Sequence, residues 1–137
     1  MYLLDTNVIS ELRQGKPRQL PAVRAWAAGQ PAGRLFLSAI SVVELEQGVL
    51  ALERRTPAQG SALRTWLTGV RATFVGRILP FTENTATVCA AMHVPNPRSY
   101  RDAMIAATAL EHAMTVVTRN VADFSGTGVK LINPFAP

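Results

Sequence analysis

Short apolar runs alternate along the chain with longer segments whose apolar residues recur at helical spacing. The short runs are rich in β-branched and aromatic residues, which predicts five strands at residues 2–4, 35–37, 78–81, 115–117 and 129–132. The longer segments predict helices near residues 7–13, 21–28, 41–54, 60–75, 83–93 and 100–113. Strands separated by helices of this length indicate right-handed crossovers and a parallel sheet covered on both faces.

The predicted helix that begins at Tyr100 is apolar on almost all sides. Such a helix is expected to pack directly on the sheet with little exposure. Asp102 lies near its start and shares a helical face with Ile105, Ala106 and Ala109, which directs its carboxylate toward the interior rim of the sheet. A carboxylate in that position needs a cation or hydrogen-bond donors to offset its desolvation.

Four acidic residues stand where a strand is expected to end or a helix to begin, namely Asp5, Glu44, Asp102 and Asp123. Acids are scarce, nine against fourteen Lys plus Arg, and all three aspartates of the protein belong to this set. Carboxylates placed beside apolar segments in such a chain predict a site for a divalent cation. The carboxyl ends of parallel strands converge on one sheet edge, where ligands bind, and this favours a shared site.

Helix capping is the alternative explanation for each acid taken singly. Asp5, Thr6 or Asn7 can cap the first helix, which is worth about 1 kcal/mol. Ser41–Glu44 has the spacing of a capping box, and Ser99–Asp102 is a looser version with a shorter acid. Capping does not explain why such signatures follow several strands of one alternating fold.

Other side chains add less to the chemistry. Ser38 closes the second predicted strand and Thr118 the fourth, so either hydroxyl could hold a water or a phosphate, or serve a turn or cap. His93 and His112 lack a second His or a Cys at ligand spacing, so a zinc site is not expected. Gly126–Gly128 precedes a strand and predicts a turn instead of a phosphate-binding loop.

Length and composition indicate one domain over residues 1–137 with a single core. A hydrophobic content of 48% excludes a disordered chain, and no apolar run approaches the roughly 20 residues that span a bilayer. The chain opens directly on the strand-like Tyr2–Leu4 with no signal-peptide pattern, so a cytoplasmic location away from membranes is expected. Cys89 cannot form an internal disulfide and is expected to be a small buried hydrophobe.

The charge balance points to a polyanionic partner. The net charge is +5, and twelve of the fourteen basic residues are arginine, whose planar fork binds phosphate in a bidentate manner. A GC-rich genome is the alternative source of such a composition.

Four blocks of sequence carry a resemblance to a known family: residues 3–10, 37–48, 102–109 and 117–124. They begin Leu-Leu-Asp-Thr-Asn, Leu-Ser-Ala-Ile-Ser, Asp-Ala-Met-Ile-Ala and Val-Thr-Arg-Asn-Val, and the chain closes with Asn133-Pro-Phe. In this order they resemble the PIN-domain family, and more narrowly its VapC and FitB-like toxins. The resemblance covers nearly the whole chain.

The resemblance implies an α/β protein, a compact three-layer α/β/α sandwich with a central, mostly parallel five-stranded sheet. It also implies an acidic nuclease site that depends on Mg²⁺ or Mn²⁺. By matching positions, Asp5, Glu44 and Asp102 take the first three acidic places, with Asp5 and Asp102 as direct metal ligands and Glu44 direct or through water. Many members have an acid where this chain has Asn120, so Asp123 is expected to supply the fourth charge, directly or through a water, with Asn120 within reach of the site. The alternatives are that Asp123 is only a turn or cap residue before Phe124, or that Asn120 fills the fourth place.

The function implied is that of a type II toxin–antitoxin ribonuclease that hydrolyses phosphodiester bonds in RNA. The expected partners are RNA, a cognate antitoxin and a second copy of the chain in a homodimer. The alternatives are a catalytically weak nucleic-acid-binding protein of the same fold, or a DNase. The residues expected to position water or substrate are Thr6, Asn7, Ser38, Thr118, Arg119 and Asn120.

Overall fold

The protein is built around a five-stranded sheet in which every neighbouring pair of strands is parallel. The computed structural model describes residues 1–136 and leaves the last residue of the predicted domain, Pro137, outside the described residues. The strands, in spatial order β3-β2-β1-β4-β5, are β1 Tyr2–Leu4, β2 Leu35–Ser38, β3 Ile78–Leu79, β4 Thr115–Val117 and β5 Leu131–Ile132. The predicted parallel sheet is confirmed. β3 stops before Pro80, which has no N–H to donate to a neighbouring strand.

All six predicted helices are present, together with short 3₁₀ turns at Ala32–Arg34 and Val121–Phe124. The helices are α1 Thr6–Glu11, α2 Pro21–Ala28, α3 Ala39–Arg55, α4 Pro57–Thr73, α5 Glu83–Ala91 and α6 Tyr100–Glu111. Across residues 1–136, no helix combines the length and the hydrophobicity needed to cross a membrane.

Helix α3 begins earlier than its capping-box pattern predicts. Ser38 is its N-cap, and the Ser38 hydroxyl accepts a hydrogen bond from the backbone N–H of Ser41 at 3.1 Å. Ser41 therefore lies inside the first turn, and the alternative explanation of Ser41–Glu44 as a capping box is wrong. The hydroxyl that closes β2 satisfies one of the free N–H groups of the helix start, which leaves the Glu44 carboxylate available for other contacts.

Helices cover both faces of the sheet. Leu3 and Val116 pack against α6 on one face, whereas their chain neighbours Leu4 and Val117 join the core on the opposite face. This division follows from the alternation of side chains along a strand. The predicted three-layer α/β/α architecture is confirmed.

Helix α6 is buried as its composition predicts. Ala103, Ile105, Ala106, Ala107 and Ala109 are all fully inaccessible to solvent. Small side chains allow this close approach of the helix to the sheet, so the first turn of α6 has a fixed position relative to the strand ends.

Cys89 lies on α5 and packs against Ala103 and Ala107 of α6. Burial raises the pKa of its thiol, which keeps the side chain neutral and unreactive. The prediction of a small buried hydrophobe is confirmed.

Candidate active site

Three of the four predicted acids come together at the carboxyl edge of the sheet. Asp5 follows β1 directly, Glu44 lies on the helix that leaves β2, and Asp102 lies in the first turn of α6. β1 and β2 are adjacent and parallel, so the segments that leave them begin side by side. The convergence expected from the alternating pattern is therefore present for Asp5, Glu44 and Asp102.

The guanidinium of Arg101 joins these three carboxylates. Its Nη2 lies 2.5 Å from Oδ1 of Asp5, and its Nε lies 2.5 Å from Oε2 of Glu44. Its Nη1 lies 2.7 Å from Oδ1 of Asp102. Each nitrogen thus serves a different carboxylate, and residues from three separate segments share one cation.

The site is largely buried and carries an excess of negative charge. Asp5 is inaccessible to solvent, Asp102 is 9% exposed, and the Arg101 side chain is 30% exposed. Burial by itself would lower the pKa of Arg101, but the hydrogen bonds that it donates to Glu44, Asp5 and Asp102 raise that pKa above its ordinary value. Arg101 is therefore charged, and three carboxylates surround a single positive group.

Asp5 is held through both of its carboxylate oxygens. Oδ1 accepts from the backbone N–H of Thr6 at 2.7 Å, which makes Asp5 the N-cap of α1. Oδ2 accepts from the hydroxyl of Thr118 at 2.8 Å. The capping explanation and the site explanation therefore both hold for this residue.

Thr118 connects the end of β4 to the same carboxylate. It is fully buried, and its hydroxyl oxygen also accepts from the backbone N–H of Asn120 at 2.9 Å. Nearby, Oδ1 of Asn7 accepts from the backbone N–H of Arg119 at 3.2 Å. These bonds tie the loop after β4 to the start of α1 beside Asp5.

A row of hydroxyl groups lies behind Glu44. Oγ1 of Thr6 donates to Oε1 of Glu44 at 2.6 Å and lies 3.0 Å from Oγ of Ser41. Oγ of Ser38 lies 3.4 Å from the same Ser41 oxygen. Thr6 therefore contacts an acid directly, whereas Ser38 reaches Glu44 only through two intervening hydroxyls.

Asp123 is placed differently from the other acids. It is exposed on the 3₁₀ turn Val121–Phe124, and its backbone N–H donates to the carbonyl of Asn120. Among the residues that the structure describes, Arg101 pairs with the other three acids and not with Asp123. The role of Asp123 as the fourth negatively charged residue of the site stays a prediction.

Arg119 and the end of the chain are also in contact. The Arg119 guanidinium lies over the ring of Phe135, 4.1 Å from its centroid, in a cation–π arrangement. Arg119 is exposed, so the stacking restrains a cationic side chain whose backbone is bonded to Asn7.

Two members of the site were missed by sequence reasoning, Arg101 and Ser41. For Arg101 a signal existed: an arginine directly precedes an acid whose helical face predicts burial. Ser41 was assigned only to a cap. Its proximity to Thr6 requires the neighbouring ends of β1 and β2, which the local sequence does not reveal.

The carboxylates suit a hard cation by their chemistry. Carboxylate oxygens are the ligands that Mg²⁺ and Mn²⁺ favour. Over residues 1–136, no three His, Cys, Asp or Glu side chains are already arranged as a metal-binding group. Instead, the Arg101 guanidinium lies between the carboxylates of Asp5, Glu44 and Asp102.

Fold and site together define a class: a parallel α/β sandwich with a cluster of acids at the carboxyl ends of its strands. The family model described as the PIN domain matches residues 2–128. The chain belongs to the PIN domain family.

Relatives with full-length similarity carry nuclease and toxin names. The chain is 38% identical to the VapC ribonuclease Y4jK of Sinorhizobium fredii, over 100% of this chain and 99% of that protein. It is 37% identical to the toxin FitB of Neisseria gonorrhoeae, over 98% of this chain and 99% of that protein. The crystal structure of FitAcB from Neisseria gonorrhoeae superposes with a TM-score of 0.91 at 36% identity, covering 100% of both chains.

Proposed function

We propose that this protein is the ribonuclease toxin of a type II toxin–antitoxin pair and hydrolyses phosphodiester bonds in RNA with the help of Mg²⁺ or Mn²⁺. The observation that carries the proposal is the convergence of Asp5, Glu44 and Asp102 at the carboxyl edge of the sheet. The family and the names of the relatives support it, since one is called a ribonuclease and another a toxin.

In this proposal Asp5 and Asp102 bind the metal directly, and Glu44 binds it directly or through a water. A divalent cation held there would lower the pKa of a water molecule and polarise the scissile phosphate. The protein's contribution is orientation: Thr118 and Thr6 hold the second carboxylate oxygens of Asp5 and Glu44, which limits rotation of both acids.

The remaining polar side chains are assigned to positioning. Arg119, stacked on Phe135, offers a restrained guanidinium to an RNA phosphate. Asp123 adds negative charge from the turn after β4. The other residues assigned to position water, substrate or the acids are Thr6, Asn7, Ser38, Thr118 and Asn120.

The proposal extends to the assembly. The described chain acts as one nuclease domain, and its net charge of +5 suits both RNA and an acidic or amphipathic antitoxin segment. A homodimer is expected from the family. A non-catalytic binding protein would be favoured by loss of one of the first three acids, and Asp5, Glu44 and Asp102 are all present.

The test is cleavage of RNA by the purified protein with and without metal. We expect cleavage with Mg²⁺ or Mn²⁺ that stops with chelator, and no cleavage by Asp5→Asn or Asp102→Asn. Each change removes one of the proposed ligand charges while conserving side-chain size. Circular dichroism should show that both variants are folded.

Glu83→Gln is the matched control, because Glu83 is an exposed acid on α5. It should cleave RNA at the wild-type rate. Cleavage in chelator, or by both Asn variants, would contradict the metal-nuclease proposal. Cleavage of single-stranded DNA in preference to RNA would mean that the protein is a DNase and not a ribonuclease.

A further inference from the structure

Arg101 lies where the acidic centre should accept a metal ion. Three nitrogens of one guanidinium contact three carboxylates that come from different parts of the chain. Three buried or half-buried carboxylates repel one another unless a cation lies among them. Arg101 therefore supplies one positive charge among the three carboxylates.

Arg101 contacts one oxygen of each of the three carboxylates proposed to bind the metal. On Asp5, Oδ2 accepts from Thr118, and Oδ1 accepts from both the Thr6 N–H and Arg101. On Glu44, Oε1 is bonded to Thr6, and Arg101 contacts Oε2. A divalent cation bound among these three carboxylates would take the place of the guanidinium and would be repelled by its charge, so the two cations compete for the cluster.

The Arg101 side chain is not fully buried. It is 30% exposed, so it lies at the mouth of the site and not in the core. A long flexible stem allows an arginine to move its charged end into water while the backbone stays in place. Its position in the first turn of the buried helix α6 keeps it beside Asp102 in either arrangement.

We propose that Arg101 is a resident counter-cation: it holds Asp5, Glu44 and Asp102 together in the metal-free protein and must leave before a divalent cation binds. This inference rests on the proposed function, because it assumes that these acids take a metal. Its consequence is that Arg101 sets the metal concentration at which the site fills. The measured affinity equals the intrinsic affinity multiplied by the fraction of molecules in which the guanidinium has left.

The experiment compares Mn²⁺ binding by the full chain and its Arg101→Gln variant, using titration calorimetry without RNA. We expect the Kd for Mn²⁺ to fall about tenfold or more in Arg101→Gln, since the competing cation is gone. The Tm in chelator should fall, because the carboxylates lose their partner, while the rise in Tm on adding Mn²⁺ should exceed that of the wild type.

Arg24→Gln is the matched control, since Arg24 is exposed on α2 and bonded to Gln19. It should have the wild-type Kd and the wild-type response of Tm to Mn²⁺. Arg101→Lys gives a second, milder variant. A lysine keeps the charge but lacks the planar fork that contacts several acids at once, so its Kd should lie between those of the wild type and Arg101→Gln.

Three outcomes would overturn the inference. An unchanged or weaker Kd in both Arg101 variants means that arginine and metal do not compete, and the metal-nuclease proposal survives. An equal loss of Tm with and without Mn²⁺, at constant Kd, means that Arg101 has only a structural part. If neither the wild type nor any Arg101 variant binds Mn²⁺, both the inference and the proposed metal site fail together.

Discussion

At the scale of single residues, one carboxylate performs two tasks at once. Asp5 caps α1 through the N–H of Thr6 and also contacts Arg101 and Thr118. Sequence reasoning left capping and site membership as competing explanations for Asp5. They are compatible because a carboxylate has two oxygens with about four acceptor positions. A local pattern that fits a cap is therefore weak evidence against a functional site.

Two residues on the loop after β4, Asn120 and Asp123, are the candidates for the fourth acidic position of the site. Asp123 brings a charge from an exposed turn, whereas Asn120 offers only an amide and is bonded through its backbone to Thr118. Because charge dominates the attraction to a divalent cation, we expect Asp123→Asn to weaken Mn²⁺ binding and slow RNA cleavage more than Asn120→Ala does. Calorimetry and initial cleavage rates measure the two effects.

Each of these variants serves as the control for the other, because both alter the same loop. Wild-type metal dependence in Asp123→Asn, combined with an inactive Asn120→Ala, would give the fourth place to Asn120. The site would then work with three carboxylates.

At the scale of elements, α3 carries Glu44 and its position depends on close packing against α4. Gly60 of α4 lies against the backbone of Glu53 on α3, so that a Cβ at residue 60 would come within 2.3 Å of Glu53 Cα. Arg64 of α4 also bonds the carboxylates of Glu46 and Glu53. The glycine permits the contact, and the arginine fixes its register.

We expect Gly60→Ala to lower the free energy of unfolding by about 1–3 kcal/mol or more, because backbone cannot yield as a flexible side chain does. The matched change is Gly69→Ala on the same helix, where a Cβ meets nothing within 4 Å. It should raise stability by up to about 1 kcal/mol through helix propensity. Urea unfolding measures both values, and equal effects at the two glycines would contradict the packing argument.

At the scale of the whole molecule, a chain with a net positive charge contains an acidic centre. A protein with a net charge of +5 attracts polyanions, while the carboxylate cluster attracts cations. An acidic or amphipathic partner segment suits the surface, and a basic side chain from that partner would compete with metal at the centre.

Coexpression with the proposed cognate antitoxin should therefore yield a stable complex without nuclease activity. Gel filtration measures the complex, and RNA cleavage with increasing partner measures the inhibition. The same partner added to the Glu83→Gln variant is the control and should inhibit it equally. An unaltered cleavage rate in excess partner would argue against the antitoxin proposal.

The sequence by itself determined the elements and their order. Apolar periodicity located five strands and six helices, because the two periods differ and prolines mark the boundaries. Family membership and the three-layer fold also followed from residues in a recognisable order, and both are confirmed. The failures were local: α3 begins at Ala39, because Ser38 and not Ser41 supplies its cap.

Only the tertiary structure decided which side chains meet. Arg101 is far in sequence from Asp5 and Glu44, yet it contacts both, because parallel pairing of β1 with β2 and burial of α6 bring their ends to one edge. The local sequence around Arg101 does not show that its side chain is close to Asp5 and Glu44. Among the described residues, Asp123 does not take part in the ion pairs of Arg101. Ser38 reaches Glu44 only through the hydroxyls of Ser41 and Thr6. Contacts between segments depend on strand order and helix packing, which local periodicity does not specify.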